Sequence, residues 1–198
     1  SKKISSLFLT RGVPGTHDTQ FLLNTLIKLK RKKFKTTYIP KFDKSIDDRS
    51  PKIKWQKITK KPDIVIFEGW CVGVIPQKKK DLLLPINTLE KENDSNRIWR
   101  VSVNNEIENR YKKIFKMIDK TIFLKVPSFE HVYKWRLLQE KKLKATSTGK
   151  KTMNNNQVKN FIMFYERLTK HMLKNYRKMA DVVVNIDEKH RLKSVKFI

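Results

Sequence analysis

Apolar runs alternating with stretches of helical periodicity restrict the fold of this chain more than any other feature of its sequence. Asp63-Ile-Val-Ile-Phe67 is an unbroken apolar run, the pattern of a strand buried on both faces of a parallel sheet. Thr121-Ile-Phe-Leu-Lys-Val126 and Ala180-Asp-Val-Val-Val-Asn-Ile186 read as two further strands, and Thr36-Thr-Tyr-Ile39 and Lys54-Trp-Gln-Lys-Ile58 as two short ones. Between them, Phe21, Leu22, Leu26 and Leu29 share one helical face behind Asp18, a good N-cap residue. A second helix is expected over 104–119, with Ile107, Tyr111, Ile114, Phe115 and Ile118 on one side. A third follows Ser128 to about Leu143, and a fourth spans 157–178 with Val158, Phe161, Tyr165, Leu168 and Leu173. Strands alternating with helices predict one α/β domain over residues 1–198, a mostly parallel sheet flanked by helices. The polar stretch 77–100 reads as a long loop, functional or mobile.

Charge narrows the partners less than its size suggests. The chain holds 46 Lys+Arg against 19 Asp+Glu, a formal charge of +27, which points towards an anionic partner. Of the basic residues 36 are Lys and only 10 are Arg, spread along the chain among many Asn and Ile, and base-reading sites prefer Arg. Compositional bias therefore explains the charge better than nucleic-acid binding, and no zinc-finger spacing, RNP-like aromatic motif or GXXG loop supports the latter. One cysteine, Cys71, excludes a disulfide scaffold and fits a reducing compartment. No apolar run is long enough to cross a membrane and no signal peptide is visible, so the expected location is cytoplasmic, without membrane contact. The first residue is Ser rather than Met, so the start is read as a possible cut.

Three places offer chemistry. Glu68, after the most hydrophobic run and before Gly69, is either a carboxylate at the carboxyl-end crevice of a sheet, placed for Mg²⁺ or water, or an exposed loop acid. Arg11-Gly-Val-Pro-Gly-Thr-His-Asp18 leads into a helix start, where backbone N–H groups attract anions; its plainer reading is a turn plus a cap. Arg136 in Trp135-Arg136-Leu-Leu-Gln-Glu140 is either a phosphate-facing lid residue or the partner of Glu140 at i,i+4. A phosphate loop of the form Gly-x-x-x-x-Gly-Lys-Ser/Thr is absent from the sequence. Gly149-Lys-Lys-Thr152 imitates its end, but Lys144 stands where the earlier glycine belongs.

Taken together, Arg11–Asp18, Phe42-Asp-Lys44 with Asp47-Asp48-Arg49, and Phe67-Glu-Gly-Trp-Cys-Val-Gly73 resemble the D-glycerate 3-kinase family of P-loop kinases and its ATP-binding kinase-like relatives. Asn87-Thr-Leu-Glu90, Trp99-Arg100, Val103-Asn104, Pro127-Ser-Phe-Glu130, Trp135–Glu140 and Tyr165-Glu-Arg-Leu-Thr169 follow in the family's order, so the resemblance covers nearly the whole chain. It implies a fold of the uridine kinase and phosphoribulokinase type and transfer of the γ-phosphoryl of ATP, with Mg²⁺, to a small hydroxy acid such as D-glycerate. By the same resemblance Glu68 is catalytic, near Mg²⁺ and ATP, and Arg136 lies in the lid over the phosphates. Asp18 joins the catalytic set, while Arg11, Thr16, His17, Asp43, Lys44, Arg49 and Trp70 line the acceptor side. Family members begin with a strand, phosphate loop, helix and strand that have no counterpart before Leu7. The expectation is thus the carboxyl-terminal portion of a kinase domain, inactive alone and completed by a separate amino-terminal fragment. A basic nucleic-acid-binding module and a non-catalytic pseudokinase are the competing readings.

Overall fold

Asp18 opens the first helix as its residue type predicts: its Oδ1 accepts the Phe21 N–H at 3.0 Å, and α1 runs Thr19–Lys30 with Leu26 and Leu29 buried. The computed structural model describes residues 4–43, 46, 48–146 and 152–198, leaving Lys44 and Asp47 outside the described residues. The chain divides into two compact units, 18–70 and 1–17 with 71–198.

In the smaller unit, β1 (Thr37–Ile39) pairs antiparallel with β4 (Gln56–Ile58), and β2 (Phe42–Asp43) with β3 (Asp48–Arg49). Trp55 meets Phe21 edge-on at 5.7 Å and donates Nε1–H to the Ser50 carbonyl at 2.7 Å, which ties the β-ribbon to α1. The strand expected at 63–67 does not form. Ile64 is 79% and Ile66 88% exposed, and no described strand pairs with the run. An apolar run becomes a buried strand only when neighbours supply its ladder hydrogen bonds and cover its faces. Here its composition is satisfied and its partners are not.

The larger unit holds α2 (Thr88–Asn93), α3 (Ile98–Glu106), a π-helical turn (Ile107–Tyr111), α4 (Lys112–Phe115), β5 (Ile122–Lys125), α5 (Phe129–Thr146), α6 (Asn155–Asn175), β6 (Val182–Ile186) and β7 (Leu192–Phe197). Asn154 starts α6 with a capping box, exchanging hydrogen bonds with Gln157 at 2.9 Å each way. Its apolar side buries Val158, Ile162, Leu168 and Met172. The sheet order is β5-β6-β7, with β5 and β6 parallel and β7 antiparallel to β6. The expectation of a mostly parallel sheet is therefore corrected: β5 and β6 form the one parallel pair among the described residues, and every other ladder is antiparallel. One face of this sheet turns Phe123 onto Tyr176, stacked at 5.9 Å. The opposite face carries the rows Ile122, Val182, Phe197 and Leu124, Val184, Val195, of which Ile122, Leu124, Val195 and Phe197 are exposed.

The stretch 77–100 also departs from its reading as a loop. Two buried arginines clamp its backbone. Arg100 donates to the Leu82 carbonyl at 2.8 Å and pairs with Asp94 at 2.9 Å; Arg167 donates to the Asp81 and Leu84 carbonyls at 2.7 and 2.8 Å and pairs with Glu90 at 2.6 Å. Asn104 adds a two-way bond to the Gln77 backbone. Glu90, Asp94 and Arg100 are buried and spend their polar groups on ion pairs and backbone, while Lys78–Lys80, Lys91 and Glu92 stay exposed. No described helix is long and apolar enough to cross a membrane.

Candidate active site

The loop 11–17 of the larger unit is closed by its own side chains. Thr16 Oγ1 accepts the Gly12 N–H at 3.0 Å and donates to the Val13 carbonyl at 2.8 Å, while Val13 and Pro14 are fully buried as its anchor. Gly12 and Gly15 lie at φ +110° and +100°, a region L side chains rarely enter. A Cβ on Gly15 would also sit 2.9 Å from Cε1 of Phe8, a buried ring with little room to move. Gly15→Ala is expected to cost about 1–3 kcal/mol of stability from strain alone, read as a lowered midpoint in urea melts.

Two tyrosines hold the loop from different sides. Tyr165, on α6, donates its hydroxyl to the Arg11 carbonyl at 2.8 Å, and its ring lies so close to Gly12 that a Cβ there would be 2.9 Å from the hydroxyl oxygen. Tyr111, at the end of the π-helical turn, meets His17 Nδ1 at 2.5 Å through its hydroxyl. Burial holds the Tyr111 hydroxyl well above the usual phenol range, and Cys71 and Glu106 push the same way. Burial also pushes the Cys71 thiol up to about 12, which makes it an inert packing residue rather than a nucleophile. His17 is held below the ordinary imidazole value by burial.

Arg136 reaches the same neighbourhood through aromatic stacking. Its guanidinium lies 5.3 Å over the Phe161 ring, Phe161 is 5.0 Å from Tyr165, and Tyr165 bonds the loop. The Tyr165 hydroxyl is raised by burial, an effect the Arg136 charge opposes. Arg136 Nη1 donates to Gln139 at 2.6 Å and Nη2 pairs with Glu140, whose other oxygen accepts the Met153 N–H at 2.9 Å. Arg136 Nε is buried with no hydrogen-bond partner among the described residues. Arg136 is thus linked through α6 to the Arg11 carbonyl, and Thr16 and His17 stand on the same loop as Arg11 within one unit.

The other predicted residues belong to the smaller unit. Asp18 pairs with Arg49 at 2.6 Å, and the Arg49 guanidinium stands 5.0 Å over Phe21. The Arg49 hydrogen bond, aided by the Phe21 N–H, holds Asp18 below the usual carboxylate range. Asp43 is half-buried in β2, Trp70 is half-buried at the unit's end, and Glu68 is exposed beyond any element. Lys44 lies outside the described residues. No group of three His, Cys, Asp or Glu side chains suited to a metal occurs among the described residues. Sequence reasoning missed Tyr111 and Tyr165 as loop supports, since both also fill apolar helix positions; the signal available was a hydroxyl that a buried face would not need.

Comparison with known proteins follows the same lines. The chain is 34% identical over 161 residues to the uncharacterized kinase mug58 of Schizosaccharomyces pombe, the match taking in 78% of this chain and 56% of that protein. It is 31% identical over 216 aligned positions to the probable ATP-dependent kinase TDA10 of Saccharomyces cerevisiae, covering 98% of this chain and 68% of the relative. It is 26% identical over 167 residues to the chloroplastic D-glycerate 3-kinase of Arabidopsis thaliana, 81% of this chain and 34% of that one. The solved D-glycerate 3-kinase of Cryptococcus neoformans matches its fold with a TM-score of 0.79 at 23% identity, over 100% of this chain and 72% of the other. No protein-family model matches. The chain spans about half the length of the curated relatives it matches.

Proposed function

This chain belongs to the D-glycerate 3-kinase family of kinases, and from that we propose that it carries the acceptor side of a phosphoryl transfer from ATP to a small hydroxy acid, D-glycerate first among candidates. The observation that carries the reading is the loop 11–17, braced by Tyr165 and linked through α6 to Arg136. In the reaction the acceptor hydroxyl oxygen bonds to the γ-phosphorus while the bond to the bridging oxygen breaks and ADP leaves. The hydroxyl's proton passes to a base supplied with the phosphate loop. Arg11 is the fork-shaped donor for the acceptor's carboxylate, with Thr16 and His17 beside it. For Asp43, Lys44, Arg49 and Trp70 of the smaller unit an acceptor-binding role, and for Asp18 a catalytic one, is proposed on the family resemblance alone. Arg136, now shared between Gln139 and Glu140, is the cation that meets the ATP phosphates, exchanging one anionic partner for another.

A single exposed carboxylate suits Mg²⁺, which takes one or two protein carboxylates and draws its other ligands from phosphates and water; Glu68 is that carboxylate. Bound there, the ion would neutralise charge on the transferring phosphate oxygens. No phosphate loop of the Gly-x-x-x-x-Gly-Lys-Ser/Thr form stands in these residues, so the proposal includes an amino-terminal segment that supplies it, in a P-loop kinase fold. The outward Ile122, Leu124 and Phe197 of the larger unit, and the exposed Ile64 and Ile66 of the smaller one, are surfaces of the kind such a segment covers.

Titration of D-glycerate into the ¹⁵N-labelled chain tests the acceptor role. The expected result is saturable shifts in residues 11–17, with binding weakened about tenfold or more in Arg11→Ala, as loss of a charge-assisted hydrogen bond implies. Resonances of the loop that do not move at any ligand concentration contradict it.

A further inference from the structure

We infer that Tyr111 is a positioning residue that locks His17 in the neutral Nε2–H tautomer, so that the loop presents a hydrogen-bond donor, not an acceptor, to an oxygen of the bound hydroxy acid. The last step rests on the acceptor-loop reading above; the lock itself is a property of this chain alone.

The place of one proton decides the tautomer. Tyr111 is 4% exposed and keeps its phenolic hydrogen, because a phenolate there would be buried beside Glu106 and Cys71. Among the described residues the side-chain partner of the hydroxyl is His17 Nδ1, at 2.5 Å, with the rings edge-on at 6.0 Å. If Nδ1 bore the hydrogen, it would donate to the phenolic oxygen, and the buried phenolic hydrogen would be left with no acceptor among the described residues. Nδ1 must therefore offer its lone pair, and the ring hydrogen sits on Nε2.

Two other histidines show the contrast. His131 engages Ser128 through Nδ1 at 3.0 Å and Glu188 through Nε2 at 3.5 Å. His171 engages Asn175 through Nδ1 at 3.3 Å and the Ile75 carbonyl through Nε2 at 3.0 Å. Both rings are held at both ends, as packing histidines are. His17 is fastened at Nδ1 only, and its Nε2 has no hydrogen-bond partner among the described residues. A ring anchored at one nitrogen and open at the other is arranged to donate to something that arrives. A carboxylate or hydroxyl oxygen accepts such a bond; an ammonium or a guanidinium does not.

Long-range ¹H–¹⁵N correlation spectra of the imidazoles, recorded above the ordinary imidazole pKa, read the tautomer directly. The expected result is a pyridine-type Nδ1 and a pyrrole-type Nε2 for His17, and mixed tautomers in Tyr111→Phe, which keeps the ring and its contact with Phe115 at 5.9 Å. D-glycerate should then bind about three- to tenfold more weakly to Tyr111→Phe, the size of one neutral hydrogen bond lost. His17→Gln, which retains an amide donor, should keep more affinity than His17→Glu, which retains none. A protonated Nδ1 in the wild type, or an unchanged tautomer in Tyr111→Phe, overturns the lock. A tautomer that changes while D-glycerate affinity does not leaves the lock standing and overturns the acceptor-loop reading.

Discussion

Glu90→Ala is expected to lower the unfolding free energy by about 3–5 kcal/mol, the usual result of breaking a buried ion pair from one side. Glu90 is fully buried and accepts Arg167 Nε and Nη2 at 2.6 Å each and the Ile86 N–H at 3.0 Å. Without it the Arg167 guanidinium stays in a site 7% exposed, with the Asp81 and Leu84 carbonyls as its remaining partners among the described residues. The hold on the Asp81 and Leu84 carbonyls loosens with it, because the same arginine makes both bonds. A large drop in melting temperature should follow, about 2–4 °C per kcal/mol for a domain of this size. Replacing both partners with apolar residues of similar volume should cost much less, since the penalty lies in the stranded charge. Urea melts of the single and double variants check this; a single variant within 1 kcal/mol of wild type contradicts it.

Glu68→Gln carries the second large effect, on activity rather than stability. In the kinase completed with a phosphate loop, loss of the Mg²⁺-facing carboxylate should lower turnover by about 10²–10³-fold, the scale seen when one group that stabilises developing charge is removed. The side chain is exposed and outside any element, so stability should stay within about 0.5 kcal/mol. That separation makes the variant clean. Initial rates at saturating ATP, paired with a thermal melt, give both readings, and a completed enzyme that turns over normally without Glu68 removes it from the site.

What could be read from sequence was what is decided locally. Asp18 capping α1, the β1 and β4 strands, and the apolar stripe of α6 all follow from spacing within a few residues. The run 63–67 failed because burial of a strand is a property of its neighbours, and the same five residues read identically with or without them. Stretch 77–100 failed for the opposite reason: its order comes from Arg100 and Arg167, the latter 86 residues away from the Asp81 carbonyl that it grips. The site divides the same way. Gly12, Pro14 and Gly15 announced a loop. That Tyr111 and Tyr165 fasten it was hidden, because each also serves as a ring on a packed helix side.

Transfer of label from γ-³²P-ATP to D-glycerate tests the kinase assignment most directly. The measurement mixes the chain with the phosphate-loop segment of a family member, Mg²⁺, ATP and D-glycerate, and assays each component alone beside it. The account predicts labelled phosphoglycerate from the mixture only, reduced by Glu68→Gln and by Arg136→Ala. Product from the chain by itself at the rate of the mixture, or none from a mixture whose two pieces are folded and associated, would contradict it.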